Sequence, residues 1–487
     1  MLERLETIYE KYGGKAIYPP LFLFFFLLHF VSSFGLTYPA TDPNELSVIA
    51  IGDWLLGKNW SGVMCSVDYY YGFLQGFLYA PALLLFREAQ NCYTAIHATN
   101  ALLISLVPLF AFSSARRLGV NKIWKCALTA FVAGAYCCYF AHAKFAWSET
   151  VTIVLPWILL WFLLRTEELK SRPARVLFAI LFGGICALSL GAHIRLIAAV
   201  LAVFAALAAE RIFYGKSTVP VLPFLLSFLG VGALVLILSV FLQQSLWLRS
   251  DPALLNNTAE NFLAQIAAGF SAENGIGRFF ITLFGQLYYF VTATWGVGAI
   301  ALCLFGAVLM RSVWRKKAGE ELGCERKMLG FSFFTFFGVI LTILFGTFYR
   351  FGTDGLTVYQ DTALFGRFLD GVIPFSLMLV LVLLFTRSIE LNKLLAAAAL
   401  LGVVYTLFFS VTLSTILQGE STRIAPILAL YPLRIGADSG APLTFEGLLL
   451  TASVTFCVMA LFIVILSCTK HLSTLQICVI WIGSQSD

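Results

Sequence analysis

The chain has 487 residues, 60% of them hydrophobic and only 12% charged, with a formal net charge of +6. This balance excludes a soluble globular protein, and it places the chain in a bilayer. The basic excess gathers in short loops on one side, so it reads as membrane orientation and contact with anionic lipid, not as a nucleic-acid surface.

About twelve segments meet the requirement of roughly 20 mostly apolar residues per spanning helix. In chain order they run from Ala16 to Leu36, Tyr93 to Ala115, Trp124 to Phe145, Val151 to Leu164, Val176 to Ala192 and Leu196 to Ala209. Then come Val219 to Leu242, Leu283 to Met310, Leu329 to Tyr349, Phe368 to Thr386, Leu394 to Ile416 and Gly447 to Cys468. The closing "LQICVIWIGSQSD" reads three ways: the start of a thirteenth span, an inner-surface segment or a truncated product. The expected fold is therefore all-α, a polytopic transmembrane helical bundle forming one integral membrane domain, with no separate soluble domain. No repeat of 20 to 50 residues runs along the chain.

Lys and Arg set the orientation. With a cytoplasmic amino terminus, "SARRLGVNKIWK", "LRTEELKSRPAR", "ERIFYGK" and "MRSVWRKKAGEELGCERK" all fall inside, as the positive-inside rule asks. The first span is too long and too aromatic for a cleaved signal peptide and reads as a retained anchor. This topology makes "YYYGFLQGFLYAPALLLFREAQ" an interfacial helix, because counting it as a span would invert every later loop. Residues 37–92 then form a structured first extracytoplasmic loop of interfacial helices. Eleven cysteines are scattered without metal spacing; Cys65 and Cys92 both fall outside, where a disulfide is chemically allowed.

Charged residues gather at the outer ends of the spans. Asp42 and Glu45 follow the first span in "TDPNEL"; Lys144 and Glu149 lie in "HAKFAWSET"; His193 and Arg195 lie in "GAHIRL"; Arg350, Asp361 and Arg367 flank a later outer segment. Ionisable groups at the bilayer boundary are costly unless they pair or line a wet cavity, which makes them functional candidates. Each also has a plain structural role open to it. Asp42 before Pro43 is a helix cap, Lys144 snorkels to headgroups, Glu149 after Ser148 caps the fourth span, and His193 is a satisfied polar residue. Several cations with one or two acids suit a substrate with a phosphate leaving group, because arginine forks match phosphate oxygens and a carboxylate takes a proton from an attacking hydroxyl.

At these residues the chain resembles the polytopic GT-C glycosyltransferases, which include protein O-mannosyltransferases and bacterial aminoarabinose-type, lipid-carrier-dependent transferases. The resemblance rests on one span, an acid opening a long outer loop ("TDPNELSVIA"), a Tyr-rich interfacial helix, "SE" at Ser148 and Glu149, and "FGRFLDGVIP" late in the chain. The double proline of the family's interfacial segment is missing, and only Pro81 stands there. The resemblance implies inverting transfer of a sugar from a polyprenyl-phosphate donor to a hydroxyl of a glycan, lipid or protein acceptor, on the outer face of the plasma (inner) membrane. Asp42 would be the catalytic base, with Glu45 and Glu149 as further catalytic acids, and Lys144, Arg195 and Arg367 would bind the donor phosphate. No cofactor is required by the sequence, and a divalent metal near the acid is compatible with the family. A polytopic transporter or a lipid or glycan flippase is the alternative, kept open by glycine-rich spots such as "GGICALSLGAH".

Overall fold

The computed structural model describes residues 15–39, 43–248, 255–318, 323–352, 362–386 and 427–430, with single residues at 450, 454 and 457. Asp42, Asp361, the span expected from Leu394 to Ile416, most of that from Gly447 to Cys468 and the closing segment lie outside the described residues. Those described are helical, and six helices are long and apolar enough to cross a membrane: Ala89–Arg117, Glu149–Glu168, Arg172–Leu190, Ile194–Tyr214, Val221–Leu246 and Arg326–Arg350.

The chain begins with α1 (Tyr18–Ser32), then the first-loop helices α2 (Pro43–Leu55), α3 (Ser61–Met64) and α4 (Leu74–Leu85). At 12 residues and about 1.5 Å per residue, α4 is roughly 18 Å long, too short to span. It packs along α2 instead. Next come α5 (Ala89–Ile104) and α6 (Leu106–Arg117), kinked at Ser105, then α7 (Ile123–Gly134) and α8 (Cys137–His142). The single span expected from Trp124 to Phe145 is thus broken at Ala135 and Tyr136, and its second part is a short helix ending in His142.

Helix α9 (Glu149–Arg165) is the axis of the bundle, apolar and buried on nearly every side. Its Trp157 packs on Phe375 with ring centroids 4.2 Å apart, and Phe375 meets Phe334 edge-on at 5.4 Å. Against it pack α10 (Arg172–Leu190) and α11 (Ile197–Tyr214), and α12 (Val221–Leu246) follows in the chain. Ser171 caps α10, accepting from the Ala174 N–H at 3.3 Å, with Pro173 in the first turn. Helix α12 packs along α10 and leaves Leu226, Leu229, Leu236 and Ile237 exposed, an apolar face suited to lipid.

The second half contains α13 (Ala259–Ser271), α14 (Gly275–Ala293), α15 (Val297–Ala318), α16 (Gly323–Arg350) and α17 (Ile373–Phe385). The run expected to form one span from Leu283 to Met310 is two helices. Trp295 and Gly296 take positive φ values of 53° and 77°, which no continuous α-helix accommodates.

Charge marks both ends of α9. Beyond its carboxy end, Glu168 pairs with Arg117 (3.0 Å), Lys327 (3.3 Å) and Arg165, while Arg326 reaches Glu167 (3.2 Å) and Glu210 (3.4 Å). These pairs tie α6, α9, α11 and α16 at the basic end. The 17 residues of α9 separate this layer from Glu149 by about 25 Å, close to the thickness of a hydrocarbon core.

Candidate functional site

Glu149 opens α9 and is 1% exposed. Its carboxylate receives two guanidinium groups from distant parts of the chain. Arg195 Nη1 donates to Oε1 at 3.1 Å, Arg195 Nη2 donates to Oε2, and Arg367 Nε donates to Oε1. Arg195 Nη2 also donates to Thr152 Oγ1, one turn further along α9, and the Thr152 hydroxyl donates to the Glu149 carbonyl at 2.7 Å. Two cations share this one carboxylate, and the buried Asp370 carboxylate, three residues beyond Arg367, acts on Arg195 as well. Both planes lie over aromatic rings: Arg367 over Trp147 at 3.8 Å and Arg195 over Phe368 at 5.4 Å.

The first loop folds over this cluster. Gly72, at φ +75°, presses against the Gly191 and Ala192 carbonyls, where a Cβ would overlap backbone, and the Phe73 and Leu74 N–H groups donate to Gly191 O at 2.7 and 3.2 Å. That docking brings the Tyr71 ring to 5.7 Å from His193, whose other neighbour is Phe368 at 6.4 Å. The Tyr71 hydroxyl donates to Asn44 Oδ1 at the start of α2. His193 accepts from the Arg195 N–H through Nδ1 at 3.2 Å. Burial, and then the Arg367 charge, push its pKa down to about 3, so the imidazole is neutral at physiological pH.

A second set of polar groups holds the loop between α8 and α9. Asn100 Nδ2 donates to Ala143 O (3.3 Å) and Phe145 O (2.9 Å), while its Oδ1 accepts from Gln75 (3.1 Å) and Tyr79 (2.7 Å). Gln75 Oε1 in turn accepts from the Val151 N–H at 3.0 Å. Glu45, fully buried, accepts from Tyr93 Oη at 2.7 Å and from the Ala146 N–H at 2.8 Å. A third cluster lies beside Trp147, where Asp370 accepts from Tyr289 Oη at 2.9 Å and faces His142 Nε2 at 3.0 Å.

Of the residues expected from the sequence, Glu149, Arg195 and Arg367 meet directly. Glu149 there holds the two cations, its oxygens engaged by them, which is the geometry of an orienting acid. Glu45 braces the Ala146 backbone. Lys144 is half-buried on the same loop, with no acceptor for its Nζ among the described residues. Asp42 lies outside the described residues, two positions before Asn44. Arg350 lies over the Phe365 ring at 3.6 Å. Cys65 and Cys92 are free thiols.

Sequence reasoning passed over His142, Asp370, Asn100 and Gln75. A signal for the first two was present, because each is an ionisable residue inside a segment read as a span, which marks a candidate by default. Among the described residues no group of three His, Cys, Asp or Glu side chains gathers as a metal site would require. The chain matches no protein-family model, no curated protein and no solved structure, so the site stands on its own geometry.

Proposed function

We propose that this chain is a membrane glycosyltransferase, moving a sugar from a polyprenyl-phosphate carrier to an acceptor hydroxyl on the extracytoplasmic face with inversion at the anomeric carbon. The observation that supports it is the buried pairing of Arg195 and Arg367 on Glu149 beneath a first loop docked through Tyr71 and His193. Two buried guanidinium groups walled by aromatic rings are suited to a phosphate oxygen, and forked guanidinium donors suit it better than a point charge would.

In this reading the acceptor oxygen bonds to the anomeric carbon as the bond from that carbon to the phosphate oxygen breaks. The departing phosphate keeps the electron pair, and Arg195, Arg367 and Lys144 stabilise the charge that grows on it. The acceptor proton passes to Asp42, the acid with which the first loop opens in sequence. Glu149 keeps both guanidinium planes in place throughout, and neutral His193 lines the site without adding charge. The chain would lie in the plasma membrane with its amino terminus in the cytoplasm and its basic layer on that side.

The test is transfer or release of sugar from radiolabelled polyprenyl-phosphate sugars by the purified chain in lipid nanodiscs. Turnover is expected from wild type and not from Asp42→Asn. A second reading, transport, is favoured by the helix breaks at Ala135–Tyr136 and Trp295–Gly296, since interrupted helices build transporter sites. No turnover with any donor, together with flux of a lipid-linked glycan in proteoliposomes, would replace the first reading with the second.

A further inference from the structure

Arg367 is delivered by a five-residue turn, "GRFLD", running from Gly366 to Asp370, in which the Leu369 N–H closes on Gly366 O at 2.7 Å. Both ends of this turn are held by one side chain of α14. The ring of Tyr289 lies where a Cβ at Gly366 would be, so glycine is required there, and the Tyr289 hydroxyl donates to Asp370 Oδ1 at 2.9 Å. The Ala429 N–H donates to that hydroxyl oxygen at 3.3 Å. The other Asp370 oxygen faces His142 Nε2 at 3.0 Å, and Asp370, His142 and Tyr289 are each 1% exposed or less.

His142 ends α8, and five residues on the same loop supplies Trp147, the ring over which Arg367 lies. Trp147 also touches the His142 ring, with centroids 5.7 Å apart. Asp370 is therefore the joint between the turn that presents Arg367 and the loop that presents its aromatic support. Glu149 fixes the guanidinium from one side, whereas Asp370 fixes the backbone that carries it.

The geometry points to Asp370, held by Tyr289 and His142, as the positioning residue of the phosphate-binding guanidinium of Arg367. This rests on the reading of Arg195 and Arg367 as a phosphate site. Substrate does not touch Asp370; it acts by setting the reach and angle of the Arg367 fork, where displacement of about 1 Å is enough to spoil a bidentate contact.

The experiment is a double-mutant cycle on binding of farnesyl phosphate, a short isoprenyl phosphate, to the full chain in nanodiscs, with farnesol as the uncharged control. Asp370→Asn and Tyr289→Phe are each expected to weaken farnesyl phosphate binding by about tenfold, and to have no further effect in an Arg367→Ala background, because coupled residues are not additive. Tyr289→Phe keeps the ring under Gly366 and removes only the hydroxyl, so it carries the test if Asp370→Asn does not fold. Equal weakening with and without Arg367 would make the cluster a general structural support and overturn the inference. Binding that Arg367→Ala weakens but neither other variant changes would overturn it while leaving the phosphate site standing. Farnesyl phosphate binding no better than farnesol in wild type would overturn the phosphate site and this inference together.

Discussion

His193 is 2% exposed and packed between Tyr71 and Phe368, with its Nδ1 already accepting the Arg195 N–H. A proton on Nδ1 would remove that hydrogen bond and add a second charge near Arg367. The folded-state pKa, near 3, lies below the ordinary 6.5. The unfolded chain therefore binds the proton first, so the stability contribution is complete above pH 6.5 and is lost as pH falls toward 3. The melting temperature in nanodiscs is expected to fall from pH 6.5 to 4, and His193→Asn, which keeps an acceptor for the Arg195 N–H, is expected to flatten that part of the profile. Identical profiles would place the acid sensitivity on other groups. The residue types at this site were legible in the sequence because charges in an apolar chain stand out. Their pairing was not, since Glu149, Arg195 and Arg367 are separated by 46 and 172 positions and no spacing rule joins them.

At the scale of elements, the loop between α8 and α9 shows how polar residues within apolar helices become supports. Asn100 satisfies two carbonyls of that loop and takes donors from two side chains of α4. Asn100→Ala leaves these buried groups without partners, at a cost of about 1–3 kcal/mol for each one not recovered by water. The variant is expected to melt markedly lower and to expose the Ala143–Trp147 backbone to hydrogen exchange, whereas unchanged protection would show that water or rearrangement replaces the side chain. Periodicity and length located α9, α10, α11 and α12 within a few residues, because hydrophobic length is what a bilayer selects. The same signal joined α7 to α8 and α14 to α15 across breaks, because the breaks are made by backbone turns whose residues are no less apolar than their neighbours. For the segment of α4 the sequence argument was one of charge, since a span there would invert every later loop; in the structure its helix has 12 residues and packs on α2.

Across the whole molecule, two charged layers bracket α9, one built on Glu149 and the other on the pairs among Arg117, Glu167, Glu168, Arg326 and Lys327. If the basic layer is cytoplasmic, the exposed Cys65 thiol is outside and Ser171, before Arg172, is inside. In right-side-out vesicles an impermeant maleimide is expected to label Cys65 when it is the sole cysteine, and to label a sole cysteine from Ser171→Cys only after permeabilisation. The reverse pattern would invert the topology and move the arginine cluster to the cytoplasmic face. By itself the sequence determined that the chain is a helical membrane protein, where most long helices lie, which loops are basic, and that acids and arginines collect at the opposite ends, because hydropathy and charge are properties of local composition. Only the tertiary structure decided that Arg195 and Arg367 share Glu149, that Tyr71 and His193 roof them, and that Asp370 meets Tyr289 and His142. Those contacts join residues far apart in the chain, and they form only when packing brings buried polar groups to the partners that compensate for lost water.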